Sequence, residues 1–276
     1  MEPHGIWIYA ITGRVSAAGL GQLRGVGGGP VRAIAAGELT AVVGDVGLAE
    51  FGEQALRRNL EDLAWLEATA RAHHQVIGAL AELGPLVPIR LATVYSSDGG
   101  VAAMLADRDA DFRAVLSRIR GRQEWGVKAY AAGRPGPQDA PVGAAAPASR
   151  EAGAGAAYLQ RRRGQLTAQK DARRRMLADA ETIHAALCEQ AADARLHPPQ
   201  APQLTGTKAL MVLNAAYLVD DERGAEFGAR VEALADRHPG VRLELTGPWP
   251  PYSFAASEES EGVGERALRI EARDAV

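Results

Sequence analysis

More than any other feature of the sequence, the stretch from Ala131 to Ala157 limits how this chain can fold. It is rich in Ala, Gly and Pro, and Val142 is its one large apolar residue. A segment of this composition buries too little apolar surface to offset the entropy lost on ordering. We therefore predict a flexible linker here, so that the hydrophobic cores must come from the segments on either side of it.

Before this stretch, the spacing of apolar residues alternates between strand and helix patterns. In chain order, the patterns predict a buried strand over Ile6–Thr12, a hairpin over Val31–Val46, one helix from Glu53 to Leu83, a strand over Leu86–Tyr95, and short helices over Val101–Ala106 and Ala110–Ile119. The hairpin should turn at Gly37-Glu38, because glycine accepts the positive φ of a type II′ turn. Pro88 lacks an N–H, which places its strand at a sheet edge or a bulge.

The later part of the chain predicts a second set of elements. They are a strand over Glu124–Tyr130, a long helix over Tyr158–Leu196, a central strand over Lys208–Asp220, a helix over Glu222–His238 and a strand over Val241–Gly247. Helices that alternate with short strands in this way are typical of an α+β fold with small, largely antiparallel sheets.

We therefore predict two α+β domains. Residues 1–122 have the element order of a modified ferredoxin-like domain, in which a glycine-rich loop over Gly13–Pro30 replaces the first crossover helix. Residues 123–256 form a C-terminal α+β domain with a long helix and a small sheet, and the flexible stretch 131–157 lies inside it. Residues 257–276 form an acidic C-terminal tail.

Composition narrows the class of protein. The formal net charge is −3, so no overall positive charge recruits nucleic acid or an anionic membrane. Cys188 is the single cysteine, which excludes an intramolecular disulfide framework. No signal peptide and no apolar run long enough to cross a membrane is evident. These features favour a cytoplasmic protein.

The motifs that suggest a catalytic or metal site are incomplete. Gly19-Leu20-Gly21 has Arg24 where a dinucleotide-binding loop requires a third glycine. His73 and His74 point about 100° apart on a helix, so a single ion does not readily take both; His73, on the apolar stripe, is expected in the core. Cys188 lies beside an apolar helix face, where cysteine usually packs as a small hydrophobe. We expect no catalytic residue, cofactor or metal.

The segment "GPWPPYSF", Gly247–Phe254, concentrates rings and prolines in a chain that is 5% aromatic. Its prolines disfavour a helix and favour an extended or polyproline-II path. Two interpretations stay open, and both can hold at once. The segment either folds back to cap the core of its own domain, with Trp249 and Phe254 filling the edge, or it presents an apolar, aromatic strip to a partner.

Seven basic residues lie between Arg161 and Arg175, with Asp171 as the one acidic residue among them. Runs such as Arg161-Arg162-Arg163 spread around a helix, and no aromatic residue interleaves for base stacking. A solvated helix start, or docking to an acidic protein, is therefore favoured over binding of nucleic acid.

Several of these segments together resemble the gas vesicle protein GvpL/GvpF family. The resemblance is carried by "TGPWPPYSF", "IWIYAITG", "VRAIAAGELTAVVGDV", the His73-His74 helix followed by "LVPIRLATVY", and "GRQEWGVKAY". One departure is visible: Leu91-Ala92 stand where the family usually has Phe-Gly.

The resemblance implies an accessory or minor component of gas vesicles, associated with them in the cytoplasm. Such a protein would contact the apolar wall protein and other accessory proteins during nucleation and growth, without catalysis, membrane or nucleic acid. The residues we assign to partner binding are Trp249, Pro250, Pro251, Tyr252, Phe254, Arg161, Arg162 and Arg163, and the edge strand at Pro88 could add to them. A ferredoxin-like protein that binds a small ligand or catalyses a reaction is the alternative.

Overall fold

The computed structural model describes residues 3–14, 17–132, 154–199 and 209–255. These residues form two compact units. Residues up to 124, together with 248–255, make the first unit, and residues 125–247 make the second. The division predicted from the sequence kept 248–255 with the second unit, whereas their contacts group them with the first. The tail 257–276 and most of the stretch 131–157 lie outside the described residues.

The first unit is built on an antiparallel sheet. Its strands are β1 (His4–Thr12), β2 (Val31–Ala36), β3 (Leu39–Gly47), β4 (Leu86–Pro88) and β5 (Val94–Tyr95). The order is β2-β3-β1-β4, and β5 also pairs with β1. This is the strand order of a ferredoxin-like split βαβ unit. Pro88 lies in the edge strand β4, as its missing N–H predicts.

The described residues of the loop between β1 and β2 form two short helical pieces and no crossover helix, in agreement with the sequence prediction. They are α1 (Ala17–Leu20) and a 3-10 turn (Val26–Gly28). The backbone N–H of Val26 donates to the Tyr9 hydroxyl at 2.7 Å, which ties the loop to the buried face of β1. The hairpin turn also forms where predicted, and Gly37 has a φ of 61°.

The prediction of a single helix from Glu53 to Leu83 is wrong. The chain forms α2 (Leu48–Phe51), α3 (Glu53–Asn59) and α4 (Leu63–Ala81). Asp62 starts α4 as its N-cap, because its carboxylate accepts from the N–H groups of Ala64 and Trp65. Leu63, at the start of α4, is exposed.

The strand predicted over Leu86–Tyr95 is interrupted by a turn. Ala92 has a left-handed φ of 64°, and the Thr93 hydroxyl donates to the Arg90 carbonyl at 2.8 Å. The two short strands β4 and β5 therefore replace one long strand, because a left-handed residue breaks the alternation of a pleated strand. The predicted helix pair follows as α5 (Asp98–Asp107) and α6 (Asp109–Ile119).

The second unit contains a four-stranded sheet with the order β7-β8-β6-β9. Its elements are β6 (Arg122–Ala131), α7 (Ala154–Cys188), β7 (Asp193–Leu196), β8 (Met211–Asp220), α8 (Gly224–Arg237) and β9 (Val241–Trp249). Strand β8 is internal, as its apolar pattern predicts. Its core joins side chains such as Ile183, Leu187, Tyr217, Phe227 and Val231.

The long helix ends earlier than predicted. Helix α7 stops at Cys188, and Asp193–Leu196 form β7, which pairs antiparallel with β8 from Asp193↔Leu218 to Leu196↔Ala215. Backbone pairing to a strand distant in sequence decides this conformation, so helical periodicity does not reveal it. Among the described side chains of α7, those that pack on the core lie from Met176 onward and include Ala180, Ile183 and Leu187.

Candidate functional site

The proline-aromatic segment turns sharply after β9. Trp249 ends the strand, and Pro251 has φ −76° and ψ 63°, with the Tyr252 N–H donating to the Pro250 carbonyl at 2.8 Å. These values describe an inverse γ-turn. A 3-10 turn over Tyr252–Phe254 follows. The segment is therefore not extended throughout, because the γ-turn at Pro251 redirects it.

Three contacts fix the end of this segment to the first unit. The buried Glu124 carboxylate accepts from the Ser253 N–H and from the Ser253 hydroxyl, each at 2.7 Å. Arg118 donates from Nη2 to the Phe254 carbonyl at 2.6 Å. The Phe254 ring is fully buried. Hydrogen bonds to charged groups are stronger than neutral ones, so the segment is held by its backbone as well as by its rings.

Three rings that contact one another form what we call the aromatic surface: His74, Trp249 and Tyr252. The His74 ring stacks on Tyr252 with centroids 6.2 Å apart and meets the Trp249 ring edge-on at 5.8 Å. His74 Nδ1 lies 3.3 Å from the Tyr252 hydroxyl. Trp249 remains 44% exposed, which is high for the largest apolar side chain.

Tyr252 connects this surface to the core. Its ring packs against the buried cluster that contains Trp7 and Tyr9. Burial, with a smaller contribution from the Glu124 carboxylate, raises the pKa of Tyr252 to about 12. The phenol is therefore protonated at neutral pH and can donate to His74.

The neighbouring His73 points the other way. Its Nδ1 accepts from the Trp7 indole N–H at 2.9 Å, and its Nε2 donates to the Ile89 carbonyl at 3.0 Å. Burial lowers the pKa of His73 to about 4, so the ring is neutral. His73 is thus the buried, hydrogen-bonded core residue that its position on the apolar stripe predicts.

The surroundings of Cys188 are those of a structural cysteine and not of a reactive one. Its sulfur lies 3.7 Å from His184 Nε2, while His184 Nδ1 lies 2.8 Å from the Tyr217 hydroxyl. Burial raises the pKa of the Cys188 thiol, which is the opposite of what a reactive thiolate requires. Across the part of the chain that the structure describes, no cluster of three or more His, Cys, Asp or Glu side chains is arranged to hold a metal ion.

The cleft beside the end of β1 is small. It encloses about 160 Å³ and is lined by Thr12, Gly13, Arg14, Leu80, Leu83, Gly84, Pro85, Leu116 and Arg120. Pockets that bind metabolites typically enclose about 300–1,000 Å³.

Within the described residues, no helix is long and apolar enough to span a membrane.

The predicted site residues divide into two groups. Trp249, Pro250, Pro251, Tyr252 and Phe254 come together in the first unit. Pro251 and Phe254 are buried, whereas Trp249 is exposed and Pro250 and Tyr252 are partly exposed. Arg161, Arg162 and Arg163 lie on α7 in the second unit, and the side chains of Arg162 and Arg163 are exposed.

Sequence reasoning missed the residues that support the aromatic surface: His74, Arg118, Glu124 and Ser253. One signal was present for two of them. A carboxylate is buried at low cost only where donors satisfy it, and Glu124 opens a predicted strand of apolar residues, while Ser253 stands between the aromatic residues Tyr252 and Phe254. Nothing in the sequence pairs Glu124 with Ser253, because they are far apart along the chain.

The fold and this surface define a class: a two-unit α+β protein in which a proline-aromatic segment near the C-terminus closes the core of the N-terminal unit. Two solved structures share the fold. The gas vesicle protein GvpF from Anabaena sp. PCC7120 and GvpF from Microcystis aeruginosa each align with a TM-score of 0.63 and 20% identity. The alignments cover 92% of this chain and 97% and 99% of those chains, respectively.

Sequence comparison gives the family. Residues 5–256 match the family described as gas vesicle synthesis protein GvpL/GvpF. Gas vesicle protein L from Streptomyces sp. (strain CB03234) is 42% identical, over 80% of this chain and 81% of that protein. Gas vesicle protein F from the same strain is 27% identical, over 70% of this chain and 80% of that protein. The chain therefore belongs to the GvpL/GvpF family of gas vesicle proteins.

Proposed function

We propose that this chain is a non-enzymatic accessory protein of gas vesicle assembly, which binds the apolar wall subunit and other accessory proteins during nucleation and growth. Membership of the GvpL/GvpF family supports a role in gas vesicles. The single observation that carries the binding role is the half-exposed Trp249 on a surface whose anchors are buried.

The physical reasoning starts from the wall subunit. A subunit that excludes water from a gas space must present an apolar face, and this face aggregates if it is exposed before assembly. A helper protein has to cover that face briefly without being trapped on it. A rigid aromatic residue suits the task, because Trp and Tyr bury a large area while they lose little side-chain entropy.

The aromatic surface is prepared for such a contact. Glu124 and Arg118 hold the backbone directly after Tyr252, at Ser253 and Phe254, and the His74 ring meets the Trp249 ring edge-on. A partner therefore meets rings that are already ordered, which lowers the entropy lost on binding. Phe254 is fully buried, so it anchors the segment and does not contact a partner directly.

The test is site-specific photo-crosslinking in cells that make gas vesicles. A crosslinking amino acid at position 249 should capture the wall subunit. The same amino acid at Tyr158, an exposed aromatic residue on α7, is the matched control and should not. Equal capture from both positions, or capture from neither while the protein is present and folded, would overturn the assignment of this surface.

We also propose that the chain belongs to the L branch of the family. The support is the difference within one organism: 42% identity to protein L of Streptomyces sp. (strain CB03234) against 27% to its protein F. In a strain of that organism lacking one of the two proteins, this chain should restore gas vesicles when L is missing and fail when F is missing. The reverse pattern would contradict the assignment.

A further inference from the structure

The N-terminal two thirds of α7 form a long basic helix with little packing of its own. The described side chains from Tyr158 to Arg175 are all exposed, and the apolar contacts of the helix to its core begin only near Met176 and Ala180. Helix stability in proteins comes mostly from packing of one face, and the described side chains of this portion have no such packing.

The helix does not stabilise this portion through its own charges. Lys170 has Arg173 and Arg174 at i+3 and i+4, where like charges repel. Asp171 is the one acidic residue between Arg161 and Arg175, and no ion pair to it is found among the described residues. The exposed part of the helix therefore carries like charges that repel one another, and its described side chains are not packed against other residues.

One face of this helix combines apolar and basic side chains. Leu166 and Leu177 are 47% and 43% exposed, and at 3.6 residues per turn they lie within about 20° of each other around the axis. Arg162, Lys170 and Arg173 fall within about 40° of Leu166 on the same face. We call these five residues the basic leucine stripe: Arg162, Leu166, Lys170, Arg173 and Leu177.

We propose that the basic leucine stripe is a docking surface for an acidic amphipathic helix of a partner protein. The exposed leucines require an apolar row on the partner at helical spacing, and the flanking cations require carboxylates beside that row. This inference deepens the proposed function by naming the chemistry of a second partner, and it uses a surface that shares no residue with the aromatic surface.

Nucleic acid fits the stripe less well. A phosphate backbone uses cations but gains nothing from exposed leucines, and no aromatic side chain lies on the stripe to stack on a base. Charge neutralisation alone would make every cation of the helix equally important. Docking of a helix instead makes the stripe more important than the opposite face, which gives the experiment its contrast.

The probe is a fluorescent synthetic helical peptide with Leu at i, i+4, i+7 and i+11 and Glu on the flanking positions. Its binding to the full chain is measured by anisotropy at low and moderate salt. Lys170→Glu with Arg173→Glu should weaken binding at least tenfold. Arg174→Glu with Arg175→Glu, a matched control with the same change in charge at two helix positions outside the stripe, should weaken it less than threefold.

Two further variants make the result decisive. Leu166→Ser with Leu177→Ser, which leaves the charge unchanged, should also weaken binding at least tenfold. Amide hydrogen exchange over residues 158–175 should slow when the peptide binds. Equal effects of the two charge variants, no effect of the leucine variant, or tighter binding of a duplex DNA of the same charge would each overturn the proposal. The Trp249→Ala variant should bind the peptide normally, so a failure here is distinct from a failure of the aromatic surface.

Discussion

The carboxylate of Glu124 accepts two hydrogen bonds from Ser253, one from the backbone N–H and one from the hydroxyl, each 2.7 Å long. These residues are 129 positions apart in the chain. The pair fixes the proline-aromatic segment to the first unit and thereby orders the rings that lie above it.

Replacing this carboxylate should release the segment. We expect Glu124→Ala to lower the free energy of unfolding by about 2–3 kcal/mol, because it removes the buried charged acceptor of both Ser253 hydrogen bonds. Ser253→Ala, the control, keeps the backbone N–H bond to Glu124 but removes the hydroxyl bond to it, and should cost about 1 kcal/mol. Urea unfolding measures both, and equal losses would show that the backbone bond contributes nothing.

Replacing Ala92 with glycine should stabilise the protein. Its φ of 64° lies in the left-handed region, where a non-glycine residue costs about 1–2 kcal/mol. The Ala92 side chain is partly buried against the core, so we expect Ala92→Gly to give a net gain of about 1 kcal/mol in unfolding free energy. Ala103→Gly, at an exposed position inside α5, should instead lose about 1 kcal/mol. A loss at both positions would contradict the left-handed turn.

His73 should make the protein sensitive to acid. Its folded pKa of about 4 lies below the ordinary 6.5, so between these values the unfolded chain binds a proton that the folded chain does not. The contribution of His73 to the free energy of unfolding is therefore fully present above pH 6.5. It is lost as the pH falls towards 4, by about 3 kcal/mol in total.

The check is the difference in unfolding free energy between the wild type and His73→Gln from pH 7 to pH 4. Gln cannot titrate, yet it offers both an acceptor for Trp7 and a donor for Ile89. The difference should shrink as the pH falls, whereas a constant difference would mean that His73 does not titrate with the proposed pKa.

Local sequence patterns predicted much of the fold. The apolar runs of β1 and β8, the turn glycine Gly37 and the loop in place of a crossover helix gave two α+β units, the first with ferredoxin-like strand order. The burial of His73 also followed from its position on an apolar stripe. These features depend on neighbours along the chain, which sequence reasoning can evaluate.

The errors share a different cause. The helix break before α4 depends on whether Asp62 caps a helix, and β7 depends on pairing with β8. The return of residues 248–255 to the first unit depends on Glu124 and Arg118. In each case a specific partner decides between two conformations that the local sequence permits.

The candidate site was predicted in part. The sequence singled out Trp249 and Tyr252, which face outward at least partly, but it also included Phe254, which is buried. Periodicity cannot separate a ring that fills a core from one that covers it when prolines redirect the backbone. His74 was missed because its role comes from two rings far away in the sequence.

The most direct measurement of the central claim is the affinity of the purified chain for the gas vesicle wall subunit. Trp249→Ala should weaken binding at least tenfold, in keeping with a loss of about 2 kcal/mol or more when a central aromatic anchor is truncated. The unfolding free energy should also fall, by about 1–2 kcal/mol, because more than half of Trp249 is buried, so the affinities are compared under conditions in which both proteins are folded. Tyr158→Ala should bind as the wild type does. Wild-type affinity in a folded Trp249→Ala protein would contradict the account.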